Sequence, residues 1–139
     1  MTPDALAALH ARCFTAPPPW SADSFAALLQ SPHVFLLEDP GGQAFALGRV
    51  IAGEAELLTI ATDPGQRRAG LARALMARFE GESRTRGAEA AFLEVAETNA
   101  PALALYASCG FAQAGRRPGY YVAPGASPVA ALILCKSLA

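Results

Sequence analysis

Residues 55–79 read AELLTIATDPGQRRAGLARALMARF, and the reading of this stretch decides the fold. Its first eight residues are mostly apolar, with Thr59, Ile60 and Thr62 β-branched, which is the composition of a strand. From Leu71 onward, Leu71, Leu75 and Phe79 recur every fourth residue, with Ala72 and Met76 beside them. That is the stripe of an amphipathic helix, and Arg73, Arg78, Glu82 and Arg84 take its wet side. A strand thus runs through a short loop into a helix N-terminus. Such a terminus leaves about four N–H groups without intrahelical partners and carries the positive end of the helix dipole, so it suits an anion. Gly70 lets a ligand approach the backbone, Ala72 adds only a methyl group, and Arg67 and Arg68 add charge suited to phosphate oxygens. A pyrophosphate would fit this junction. Taken alone, the stretch is equally compatible with a helix start whose arginines are solvated. Neither GxxxxGK[ST] nor GxGxxG occurs.

The flanking residues extend the pattern. Leu6, Leu9 and Cys13 mark a helix over 3–14, which TAPPPWS ends because three prolines cannot continue it. Ser21 caps a second helix through about Gln30, with Asp23 near its positive end. HVFLLED (33–39), QAFALGRVIA (43–52) and AELLTIAT (55–62) read as three strands whose short connections imply antiparallel pairing. The helix over 70–86 stops at Gly87, and AAFLEVA (90–96) is the next strand. Asn99 caps a helix with Pro101 in its first turn; it carries Leu103, Leu105, Tyr106 and Cys109 and ends at Gly110. FAQAG (111–115) and VAALILCKSL (129–138) are expected as terminal strands, with RRPGYYVAPGAS (116–127) as the loop between them. The order implies one α/β domain over residues 1–139, a mixed sheet with helices on its faces.

Composition narrows the function classes. The chain has 139 residues, 53% hydrophobic and 17% charged, enough apolar material for one core. A net charge of −1 argues against a nucleic-acid partner. No apolar run is long enough to span a bilayer, and MTPDALAALHARCF lacks a basic leader, so the expected compartment is the cytoplasm and no membrane partner is expected. Cys13, Cys109 and Cys135 show no metal or disulfide spacing, and no metal is expected. His10 and His33 are expected in ordinary surface or half-buried roles.

LLTIATDPGQRRAGLARALM (57–76) followed by FLEVAETNAPALALYASCGF (92–111) resembles the GNAT superfamily of acyl-CoA N-acyltransferases. The pyrophosphate pattern Q/R-x-x-G-x-G/A reads here as Arg67, Arg68, Ala69, Gly70, Leu71 and Ala72. PWS (19–21), LEV (93–95), Asn99, ALYASCGF (104–111) and the paired tyrosines of RRPGYY look like the RimI type, the ribosomal-protein N-terminal alanine acetyltransferases. The resemblance covers about residues 5–136. There are two departures from the pattern. The chain opens almost directly on a helix, so the family's first edge strand is expected to be missing, and Ala72 stands where many members have glycine.

The resemblance implies the GNAT fold, a mixed and mostly antiparallel sheet splayed between its fourth and fifth strands, with acetyl-CoA as co-substrate in the gap. The backbone around Ile60 and Ala61 would meet the pantetheine arm, residues 67–72 the pyrophosphate, and Asn99 the cofactor, if it is more than a helix cap. Glu94 would be the general base; a charge inside an apolar strand is expensive unless paired, exposed or used, and alternation puts it on one face with Phe92 and Ala96. Tyr106 would protonate the departing sulfur, or else is a core aromatic. Trp20, Tyr120 and Tyr121 would border the acceptor groove, and Glu54 or Glu56 could hold a cationic amine. The acceptor implied is a protein or peptide N-terminus, an alanine of a small-subunit ribosomal protein, and the enzyme a monomer or weak dimer. Another amine acceptor and a non-catalytic acyl-CoA-binding module are the alternatives.

Overall fold

A computed structural model describes residues 1–14, 19–66 and 70–139. Thr2 begins the first helix by accepting the Ala5 N–H on its side chain, and α1 spans Pro3–Cys13. Ser21 does the same for Ser24 at the start of α2, Ala22–Leu29. Three strands follow: β1 (Val34–Glu38), β2 (Ala44–Ile51) and β3 (Glu54–Thr62). A single 3₁₀ turn, Pro64–Gln66, leaves β3, and α3 runs over Leu71–Thr85. β4 (Ala90–Ala96), α4 (Ala100–Ser108), β5 (Ala112–Tyr121) and β6 (Val129–Ser137) complete the order.

The strands lie side by side as β1-β2-β3-β4-β6-β5. Every neighbouring pair is antiparallel except β3 and β4, which α3 connects as a crossover. No strand precedes α1, and β1 forms one edge of the sheet with β2 as its sole partner among the described residues. The family's fourth and fifth strands are therefore β3 and β4 here.

Alternation along the strands sends side chains into two cores. On one face Leu75, Met76 and Phe79 of α3, with Tyr106 of α4, cover Ala46, Leu57, Leu93 and Val95. On the other, Leu6 and Leu9 of α1 and Phe25 of α2 cover Phe45, Leu47 and Ala61. Phe25, Phe45 and Phe79 are fully buried, and burial of each contributes about 1.5–3 kcal/mol. Glu80, 8% exposed, is paired with Lys136 at 2.7 Å, and the same ammonium donates to the Cys109 carbonyl at 2.6 Å. These contacts pin the end of α4 and β6 to α3.

Two expectations need correction. Residues 116–121 are part of β5, not of a loop. β5 is an edge strand and is exposed along nearly its whole length, so it carries no apolar alternation. Its pairing shifts register between Arg117 and Tyr121, which accommodates Pro118 and Gly119, the latter at φ +61°. His10 is not half-exposed but buried, 3% exposed, beneath Trp20 and Phe14.

Candidate functional site

β3 and β4 pair only at their first three positions, the last being Glu56 with Phe92. Beyond that they part. The antiparallel ladders on either side fix which amides face the opening. Asp63 N–H donates to Gln43 O, so the hydrogen-bonded pairs of β3 with β2 fall on Ala61 and Phe45 and on Thr59 and Leu47. Ile60 therefore turns its N–H and C=O toward the gap, whereas Ala61 spends its own on β2. On the opposite wall, Glu97 N–H donates to Ala130 O, which leaves Glu94 with its backbone N–H and C=O toward the same gap. A slot with free backbone donors and acceptors on both walls fits an extended, amide-bearing arm. The register shift between Leu47 and Gly48 leaves Leu58 as the extra residue of β3, where the strands separate.

Phe92, Glu94 and Ala96 share the less buried face of β4, opposite Leu93 and Val95, as alternation requires. The Glu94 side chain is 26% exposed, with Arg117 Nη1 3.5 Å from its Oε1. The Arg117 guanidinium also lies 5.4 Å from the centre of the Tyr120 ring, and Tyr120 meets Tyr121 edge-on at 5.1 Å. Tyr106 is 6% exposed and packs against Phe111. Burial, aided by the neighbouring Cys109 and Tyr121, pushes its hydroxyl well above the ordinary tyrosine range. Tyr121 titrates high as well, from burial first, then from the charge of Glu94 and from Tyr120. Tyr121 is thus within electrostatic reach of both Glu94 and Tyr106. Tyr121 also lines a small cleft, open to solvent, with Ala96, Thr98, Val122, Ala126 and Val129.

At the head of α3, Gly70 adopts φ +76°, a left-handed conformation that favours glycine. Leu71 and Ala72 open the helix and their N–H groups are free of intrahelical partners. Arg67, Arg68 and Ala69 lie outside the described residues. Asn99 caps α4, its side chain accepting the Ala102 N–H at 3.2 Å. Trp20 belongs to a different aromatic group from Tyr120 and Tyr121, stacked on His10 and tilted against Phe25. Glu56 is bound to Arg49 of β2 at 2.6 Å, which accounts for its charge without an amine ligand.

Arg117 beside Glu94 was not legible in the sequence, because a stretch read as a loop has no phase to align with β4. Had 112–121 been read as an edge strand, the arginine would have been a visible candidate. No cluster of metal-ligating side chains occurs among the described residues.

Known proteins share this fold. Residues 4–111 match the model of the Acetyltransferase (GNAT) family. The [Ribosomal protein bS18]-alanine N-acetyltransferase of Escherichia coli (strain K12) is 42% identical over 105 residues, 74% of this chain and 71% of the relative. The crystal structure of the ribosomal-protein-S18-alanine N-acetyltransferase from Escherichia coli superposes with a TM-score of 0.87 at 34% identity, covering 99% of this chain and 88% of the other. Arabidopsis thaliana NAA60 in complex with acetyl-CoA shares the fold, with a TM-score of 0.82 at 16% identity over 98% of this chain and 93% of its own.

Proposed function

The chain is an N-acetyltransferase of the GNAT family, and we propose that it transfers the acetyl group of acetyl-CoA to the N-terminal amine of a protein, an alanine of a small-subunit ribosomal protein. The observation that carries this reading is the gap between β3 and β4, edged by the Ile60 and Glu94 backbones. The 42% identity to an alanine N-acetyltransferase supports the choice of acceptor.

Bound acetyl-CoA supplies a thioester carbonyl for the amine to attack and a thiolate as leaving group. Ile60 offers its N–H and C=O to the pantetheine arm. The N–H groups of Leu71 and Ala72, with Gly70 and the segment 67–69, receive the pyrophosphate at the positive end of α3. Asn99, the cap of α4, would also face the arm.

Glu94 takes the proton from the acceptor amine, directly or through a water. Magnitudes favour an α-amine. Its pKa is about 7.7–8.0, so deprotonation at about pH 7 costs about 1–1.4 kcal/mol, against about 4.6 kcal/mol for a lysine side chain. A partly exposed carboxylate suffices for the first task. Tyr106, held protonated by its burial, donates to the leaving sulfur and is re-protonated from solvent. Tyr120 and Tyr121 border the acceptor in the cleft at the end of β5.

The test is to incubate the purified protein with acetyl-CoA and a short peptide beginning Ala-Arg, following CoA release and peptide mass. Acetylation at the α-amine is the expected result. Release of CoA only in the presence of lysine peptides or small amines would overturn the choice of acceptor, and no transfer to any amine would overturn the catalytic reading.

A further inference from the structure

One buried ionisable side chain has no part in the site described above. His10 has both ring nitrogens engaged: Nδ1 accepts the Trp20 backbone N–H at 3.1 Å, and Nε2 lies 3.1 Å from Thr59 Oγ1 on β3. The Trp20 amide can only donate, so Nδ1 is the unprotonated nitrogen, and Nε2 carries the proton and gives it to the threonine. Phe14 and Trp20 stack on the ring at 4.3 and 5.3 Å between centroids, and Phe25 meets it edge-on at 5.6 Å. These groups, from the end of α1, the residue before the α2 cap, α2 and β3, carry no charge, and Arg12 of α1 is turned to Asp63. A second proton on the ring would set two donors against each other at Nδ1, and burial holds the imidazole neutral, its pKa brought down to about 4.

The location gives this arrangement its meaning. Thr59 directly precedes Ile60, whose amide faces the gap, and it follows the extra residue at which β3 leaves β4. Cys13, at the end of α1, donates its thiol to the Thr62 carbonyl at 3.1 Å. Glu94 projects from the sheet on the face that α1 and α2 cover, since Leu93 and Val95 take the face under α3. Cys13 and Trp20 therefore stand over the β3 wall of the gap, on the face from which Glu94 projects.

We propose that His10 is a positioning residue: a neutral, doubly hydrogen-bonded strut that fixes the Trp20 segment to β3 and so sets the grip on the acceptor rather than on acetyl-CoA. This rests on the reading that the acceptor enters on the face of Glu94.

The experiment compares His10→Phe, which keeps the aromatic packing and loses both hydrogen bonds, with His10→Gln, which offers an acceptor and a donor. KM is measured separately for acetyl-CoA and for the Ala-Arg peptide, with emission from Trp20, the chain's sole tryptophan, as a probe of its placement. His10→Phe should raise the peptide KM about tenfold, leave the acetyl-CoA KM within about twofold and shift the Trp20 emission, while His10→Gln recovers most of the loss. Both KM values rising together, neither rising, or glutamine performing no better than phenylalanine would overturn the proposal. Where His10→Phe fails to fold, Thr59→Val removes the partner of Nε2 while keeping shape. The same split at about threefold is then expected, and its absence is decisive against the strut. Failure of the wild-type protein to acetylate the peptide counts against the acceptor reading alone. The KM split is then read with the amine that does turn over, and an unchanged Trp20 spectrum in His10→Phe still refutes the strut.

Discussion

Gly48→Ala is the substitution whose effect follows most directly from the packing. Gly48 sits in β2 opposite Phe35 of β1, and the phenyl ring lies across the face that a side chain would occupy. A Cβ built there would come within 2.5 Å of Phe35 Cζ and 2.9 and 3.0 Å of its Cε atoms. The ring has little freedom to retreat. Phe79 stacks against it with centroids 6.0 Å apart, and the Arg86 guanidinium lies 4.8 Å from its centre. Overpacking of this kind costs about 3 kcal/mol, at the upper end of the usual range because the ring is held by its neighbours. Replacing glycine in a strand returns about 0.5–1 kcal/mol of backbone entropy. The net destabilisation is about 2 kcal/mol. With an unfolding entropy of about 2.1 cal/mol/K per residue over 139 residues, Tm should fall by about 7 °C. Thermal unfolding followed by circular dichroism measures this directly. Phe35→Leu in the same chain makes room for the methyl group, so the double variant should be more stable than the sum of the two single effects by about 1–2 kcal/mol. A Tm for Gly48→Ala within about 1 °C of wild type, or strict additivity in the double variant, would refute the reasoning.

The remaining expectations concern the site and its surroundings. Folded His10 has a pKa lowered to about 4, so between about pH 6.5 and 4 the unfolded chain binds the extra proton and the folded one resists it. Stability present above about pH 6.5 is therefore lost on acidification, by about 2 kcal/mol once solvent screening is allowed for; the wild-type minus His10→Phe difference in denaturation midpoint against pH should show it. Glu94→Gln should lower kcat about a hundredfold at about pH 7 with little change in acetyl-CoA KM, the deficit shrinking above about pH 8 as the amine deprotonates unaided; a pH-independent deficit would remove Glu94 as the base. Tyr106→Phe should slow turnover by about 10²–10³ with the fold retained in far-UV circular dichroism, and an unchanged rate would make it a packing residue.

Much of the fold was legible because its signals are local. The stripe of Leu71, Leu75 and Phe79, the alternation of Leu93, Glu94 and Val95, and the caps at Ser21 and Asn99 depend on backbone periodicity and on hydrogen bonds a few residues apart. The order of these elements also carried the parallel crossover and the two covered faces, and Glu94 and Tyr106 stood out as a charge in an apolar strand and an aromatic within a familiar segment. Other features depended on which distant residues meet. The second half of β5 was hidden because an exposed edge strand has no core face to impose an alternation, and with it went the approach of Arg117 to Glu94. The division of labour between Ile60 and Ala61 follows from ladder phase, which hydrogen bonding to β2 sets and composition does not. His10 and Thr59 are forty-nine positions apart in the chain, and Gly48 owes its identity to a phenylalanine on the neighbouring strand. The sequence by itself determined the elements, their order and the family, because periodicity and capping are written within single turns and strands. The tertiary structure alone decided the open gap, the neutral histidine and the pairing of charges around Glu94, because these are set by register and burial between segments far apart in the chain.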